Sequence, residues 1–256
     1  MRQLIISEME RVWSRSKTKT LLIIFILLSM LWSIAMGSWN VGFYDSNITM
    51  PLNSLNFSVF ILRDIHPLLM FVILPMLYTD CFNAEYTSGG YRNVMTRPYK
   101  KTEFILAKLI AQAFITFVFL MILFIISSLF GKFFLDTVEI TKFFNITKDF
   151  NSIEAFIYSF KFYIMEFLIL FAILSISSLI CGIIENSVLS FLAIIAVFLG
   201  SLYISDSFVF FLSSSKMIFD VLANIAPMSF FTILFFTTII GIGGTIVLWK
   251  NKDWLF

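Results

Sequence analysis

Six stretches of this chain are long and apolar enough to cross a lipid bilayer, and they constrain its fold more than any other feature. They cover residues 20–39, 65–82, 104–130, 162–184, 187–204 and 228–249. A hydrocarbon core of about 30 Å takes roughly 20 residues of helix. No water pairs with backbone groups inside it, so each run must close its own hydrogen bonds, as a helix does. The second run has a short uncharged core, with Pro67 near its start and Pro75 inside it, and a proline removes a donor and bends a helix. Composition agrees: 59% of the 256 residues are hydrophobic and 13% are charged, against roughly 25% charged in ordinary soluble domains. That balance excludes a soluble enzyme, a nucleic-acid binder and a disordered chain. The sequence predicts an all-α polytopic membrane protein with one transmembrane domain over residues 1–256. It divides into a surface segment 1–19, six spans within 20–249 and a tail 250–256. No cleavable leader is evident, so the first run is read as a retained span.

Six spans place both ends on one side, and lysine and arginine choose which. Residues 1–19, the 83–108 connection and the tail together hold twelve of the 18 basic residues. The other six, from Arg63 to Lys216, are spread over three longer loops. Both termini are therefore expected in the cytoplasm. Trp39 and Trp249 sit at span ends and suit interfacial anchoring. In residues 2–19, Ile5, Met9, Val12 and Trp13 recur at helical spacing, while Glu8, Arg11 and Arg15 fall on other faces. This pattern predicts an amphipathic helix lying along the inner surface.

Few residues carry candidate chemistry. Cys81 and Cys181 stand 100 positions apart in apolar surroundings, which fits neither a disulfide framework nor a zinc site. His66 is the single histidine; with Arg63 and Asp64 it reads as a headgroup-level cluster beside a proline turn, or as an outer gate. Glu166, about one turn into span four, either snorkels toward Lys161 or takes part in a solute pathway. Asp80 and Glu185 read as boundary residues, with Glu185 a possible minor contact for a partner. The outer segment 206–226 mixes apolar clusters with Ser213, Lys216 and Asp220, as a surface-lying or re-entrant piece would. The small residues Gly241, Gly243 and Gly244 in span six suit close helix contact.

The connection between spans two and three, NAEYTSGGYRNVMTRPYKKTEFILAK over residues 83–108, is the most polar stretch on the cytoplasmic side. Glu85 precedes Gly89 and Gly90. A helical piece follows, with Tyr91, Val94 and Met95 on one side and Arg92 on another. Arg97 and Pro98 end it, because the residue before a proline is pushed out of the helical region. Lys100, Lys101, Glu103 and Lys108 lead into span three. A short amphipathic helix joined stiffly to two spans can pass force from a cytoplasmic partner into the bundle.

This run resembles the cytoplasmic loop of type 2 ABC-exporter permeases, the class that exports bacitracin, lantibiotics and other peptides or drugs. The family pattern is an acid, three residues, a glycine, a basic or polar helix, a proline and a lysine opening the third span. Here it is carried by Glu85, Gly89, Pro98 and Lys108. Gly90 stands where the family usually has threonine. The N-terminal surface helix and residues 226–230 before the last span are also similar. The resemblance implies a coupling helix docked on a separate ABC ATPase subunit, with Glu85, Gly89, Arg92, Arg97 and Pro98 as its coupling residues. It places Lys108 at headgroup level; Trp13, Trp39 and Trp249 are read as interface residues from their own positions. It further implies a second permease copy or paralogue, no cofactor in this chain, and ATP and magnesium in the partner. The abundance of Phe, Ile, Asn and Lys fits a bacterial cell membrane.

The chain lacks G-x-x-x-x-G-K-[ST]; its Gly131-Lys132 pair has no upstream glycine at the needed spacing, so it has no phosphate-cradling loop of its own. It also lacks H-E-x-x-H and a serine in a nucleophile-elbow setting, which weighs against an intramembrane enzyme. A non-transporting sensor or assembly factor of the same fold is the other alternative.

Overall fold

Each of the six apolar runs is a helix in the computed structural model, which describes residues 1–44, 48–87 and 99–252, with the backbone alone at 84, 85 and 87. The helices, in chain order, are α1 (Arg2–Ser14), α2 (Ser16–Trp39), α3 (Phe57–Leu68), α4 (Leu74–Thr87), α5 (Lys101–Phe134), α6 (Ser152–Ile183), α7 (Ser187–Ile204), α8 (Ser214–Leu222) and α9 (Met228–Asn251). Spans one to six are α2, the combined α3–α4, α5, α6, α7 and α9; all six are long and apolar enough to cross a membrane. The protein is an all-α, multi-pass membrane protein.

Span two starts at Phe57, earlier than its apolar run suggests. Arg63, Asp64 and His66 lie inside it because the fold compensates their charges. Arg63 pairs with Asp64 at 3.5 Å and stacks over Phe43, while Trp32 donates to Asp64. The span runs α3, one π-helical turn (Leu69–Ile73), then α4. Pro75 explains that turn. It offers no N–H to the preceding turn, and its ring crowds the carbonyl four residues back, at Phe71. Widening over Leu69–Ile73 makes room and keeps the span continuous.

Span four also starts early. Asn151 accepts from the Glu154 N–H at 2.9 Å, and the Glu154 carboxylate accepts from the Asn151 N–H. This reciprocal cap nucleates α6 ten residues ahead of the apolar run. The α7 start is capped by Asn186, which accepts from the N–H groups of Val188 and Leu189.

The termini mark one end of the bundle. At the other end, two short antiparallel hairpins form: β1 (Val41–Phe43) with β2 (Thr49–Pro51), and β3 (Ile140–Thr141) with β4 (Phe150–Asn151). The 3-10 turn Asp206–Phe211 and α8 lie at the same end. Phe60, Phe144, Phe162 and Phe219 bind that end together, with ring centroids 5.0–6.0 Å apart.

Span four is the centre of the packing, against spans two, three and six. Its closest approach is to span six: a Cβ built at Gly241 would lie 2.5 Å from the backbone carbon of Ser175. Ser178 and Thr245 hydrogen-bond across the same seam at 2.9 Å. Spans one, five and six leave most of their surface uncovered by the rest of the chain, whereas span two is largely enclosed.

Candidate functional site

Where the chain passes from span two to span three, its flanks are held by four other parts of the protein. On the span-two flank, Arg15 donates through Nη1 to the Asp80 carboxylate at 2.8 Å and to its carbonyl at 2.6 Å. Lys17 reaches the other carboxylate oxygen at 3.1 Å. Arg15 is the single residue between α1 and α2, in extended conformation, so this elbow is fastened to the end of span two.

One residue further on, the Cys81 carbonyl accepts from Lys108 Nζ at 3.2 Å. The same ammonium pairs with Glu8 of α1 at 3.2 Å and lies over the Phe104 ring. Lys108 and Glu8 are 0% and 2% exposed. Arg11 closes on the second oxygen of Glu8 at 3.0 Å. A lysine buried this deeply must be paired and hydrogen-bonded, and here one ammonium joins α1, span two and span three.

The remaining ties run to the turn between spans four and five and to the end of span six. Asn83 donates to the Ile184 carbonyl and to Ser190, at 2.9 and 2.6 Å. Lys252 pairs with Glu185 at 2.8 Å and donates to the Gly182 carbonyl. Lys101 donates to the Lys252 carbonyl at 2.9 Å. The hydrogen bonds from Lys252 and from Tyr86 hold the Glu185 carboxyl below its ordinary value, and the same contact pushes the Tyr86 phenol up. These groups form a polar collar around both roots of the 83–108 connection.

The expected coupling residues divide as follows. Glu85 lies in α4, where the backbone alone is described; Gly89, Arg92, Arg97 and Pro98 lie outside the described residues. The helix expected between them therefore lies there too. Of the expected interface residues, Trp39 is exposed at the end of α2, edge-on to Trp32. Trp13 is partly buried against the core. Two readings are corrected. Lys108 does not face headgroups, because α1 packs along span three and covers it. Trp249 is 1% exposed and packs against Phe104, so it is a core residue rather than a lipid-facing anchor.

Glu8 corrects a third. The pattern puts it on a polar face of α1, yet Leu4, Glu8 and Val12 form the buried line. Nor does Glu166 snorkel toward Lys161. It is fully buried, with His66 and Ser214 as partners. The need for both pairings is readable in the sequence, because a charge in an apolar segment requires a partner; which base serves each acid is set by the packing.

Beside the Arg15–Asp80 clamp a groove of about 610 Å³ opens between spans one, two and five. Leu21, Ile24, Met76 and Phe191 form its apolar wall, and Lys17, Asp80 and Ser187 its polar edge. A surface with both characters suits an amphipathic molecule. Among the described residues no cluster of His, Cys, Asp or Glu could hold a metal ion.

Comparison with curated proteins returns no match. The sequence profile of one family, described as ABC-2 family transporter protein, matches residues 13–202. That stretch runs from the end of α1 beside Arg15 into the last turn of span five and takes in most of the collar. The chain belongs to the ABC-2 family of transporter proteins.

Proposed function

We propose that this protein is the membrane-spanning subunit of an ATP-driven exporter, powered by a separate ABC ATPase docked on residues 83–108. The ABC-2 family normally works with such an ATPase in the membrane. The observation that carries the reading is the collar. Each root of the 83–108 connection is hydrogen-bonded to other parts of the protein: α1 and the elbow, the turn between spans four and five, and the end of span six. A push that reaches these roots therefore moves packed helices. In this reading the terminal end faces the cytoplasm, and Glu85 and Arg92 meet the ATPase through charge-assisted hydrogen bonds. Gly89 allows close backbone approach, and Pro98 sets the bend toward span three.

A second six-span subunit, identical or related, completes the pathway. The uncovered faces of spans one and five flank the amphipathic groove, so solute enters sideways at the cytoplasmic end and leaves outward as a hydrophobic or amphipathic peptide, antibiotic or drug. The cell membrane of a bacterium is its setting. ATP and magnesium act in the partner.

The test is the complex isolated through a tag on this chain and reconstituted in lipid. An ABC ATPase is expected to co-purify, with hydrolysis stimulated by the transported amphiphile. Glu85→Arg combined with Gly89→Trp should lower that stimulation by roughly tenfold, equivalent to about 1.4 kcal/mol of coupling. Absence of an ATPase partner, or stimulation untouched by the double substitution, contradicts the proposal.

A further inference from the structure

Away from the collar, spans two and four meet at a buried polar node. His66 Nδ1 lies 2.5 Å from Glu166 Oε1, and Nε2 lies 2.8 Å from the carbonyl oxygen of Phe211. Ser214 Oγ donates to the other carboxylate oxygen of Glu166 at 2.5 Å. His66, Glu166 and Ser214 are each 2% exposed or less. Phe211 ends the 3-10 turn and Ser214 begins α8, so the two spans grip the 206–222 segment on both sides of its internal corner.

The hydrogens in the node can be assigned from the acceptors. The Phe211 carbonyl can only accept, so Nε2 carries a hydrogen and donates it. Ser214 donates to one oxygen of Glu166. One more proton lies between Nδ1 and the other oxygen. Imidazole with carboxylic acid, or imidazolium with carboxylate, is neutral in sum, and every polar atom of the pair has a partner. Such a group can stay out of water at little cost, whereas removing one member leaves the other stranded.

The rest of the contact is apolar. Phe210, Phe211, Ile218 and Phe219 of the segment are buried, and Phe219 packs against Phe60 of span two and Phe162 of span four. Apolar contact is non-directional and tolerates sliding; the hydrogen bonds fix one seat.

We propose that the His66–Glu166 pair is a latch that holds the 206–222 segment between spans two and four, and that releasing it opens the end of the bundle opposite the termini. The second half rests on the export reading, in which that end faces outward; the first half does not. His66, Glu166 and Ser214 act as positioning residues that touch no solute.

The experiment places spin labels at two exposed positions, Ser213→Cys beside the node and Ile153→Cys at the start of span four, with Cys81 and Cys181 replaced by alanine. The full chain is studied in lipid nanodiscs without an ATPase. The unmodified latch should give one narrow distance distribution. His66→Ala should raise the displaced population by roughly tenfold, the effect of losing a buried hydrogen-bonded partner. Glu166→Gln should keep the narrow distribution, since its amide donates to Nδ1 and its carbonyl accepts from Ser214. Should His66→Ala fail to fold, Ser214→Ala, which deletes one hydroxyl, should broaden the distribution on its own. An unchanged distribution in the alanine variants overturns the latch. With the partner ATPase present, latch-broken variants should also change the rate of solute release; a displaced segment with release unaltered overturns the opening role. Because the distance measurement omits the ATPase, its failure is separable from failure of the export reading.

Discussion

Glu8→Leu is expected to destabilise the protein by about 3 kcal/mol, at the lower end of the roughly 3–5 kcal/mol seen when one partner of a buried ion pair is removed. The substitution leaves the Lys108 ammonium, 0% exposed, without the carboxylate 3.2 Å away. The Cys81 carbonyl and the Phe104 ring remain beside it, which keeps the loss near that lower end. Thermal unfolding in detergent should fall by roughly 6–12 °C for a chain of this size. The double variant Glu8→Leu/Lys108→Met should recover most of that, because an apolar pair of similar volume has no charge to desolvate. A double-mutant cycle isolates the pair from the general effect of altering α1. If the single variant unfolds at the original temperature, Lys108 is not held by Glu8, and α1 is not fastened to span three in this way.

Gly241→Val is expected to force spans four and six apart. A Cβ at position 241 would lie 2.5 Å from both the backbone carbon and the hydroxyl of Ser175, and a backbone atom cannot rotate away. Overpacking of this kind costs about 1–3 kcal/mol, and more where the backbone must move. The Ser178–Thr245 bond across the same seam should be lost with it. Two residues along, Gly243 has open space around the position a Cβ would take. Gly243→Val should therefore leave unfolding temperature and expression nearly unchanged. Comparison of the two valine variants by thermal unfolding separates helix contact from any general intolerance of branched residues in span six. Equal losses would contradict the close crossing at Gly241.

The number and order of the spans were legible in the sequence because bilayer thickness fixes helix length and leaves few alternatives to apolar helix. Span five matched its apolar run from Ser187 to Ile204. Boundaries read less well wherever the fold compensates charge. Arg63, Asp64 and His66 look like a headgroup-level cluster at the start of span two until Phe43, Trp32 and Glu166 are brought to them. The early start of α6 depends on the Asn151–Glu154 cap, which stands in a loop by composition. Glu8 and Lys108 each look like surface charges; their pairing is a tertiary fact that helical periodicity within residues 2–19 cannot express. Trp249 shows the same limit: its position at a span end suggests lipid, and only the packing of Phe104 places it in the core. Asp80 and Glu185 were legible as boundary residues, and the structure adds what each boundary is tied to.

A photo-reactive amino acid at position 92, in place of Arg92, is the sharpest test of the proposed docking of an ABC ATPase on the 83–108 connection. In native membranes, illumination should yield an adduct between this chain and an ABC ATPase, with a yield that changes when ATP binds. Adducts with lipid alone, or labelling of position 92 from the external side of the membrane, would contradict it.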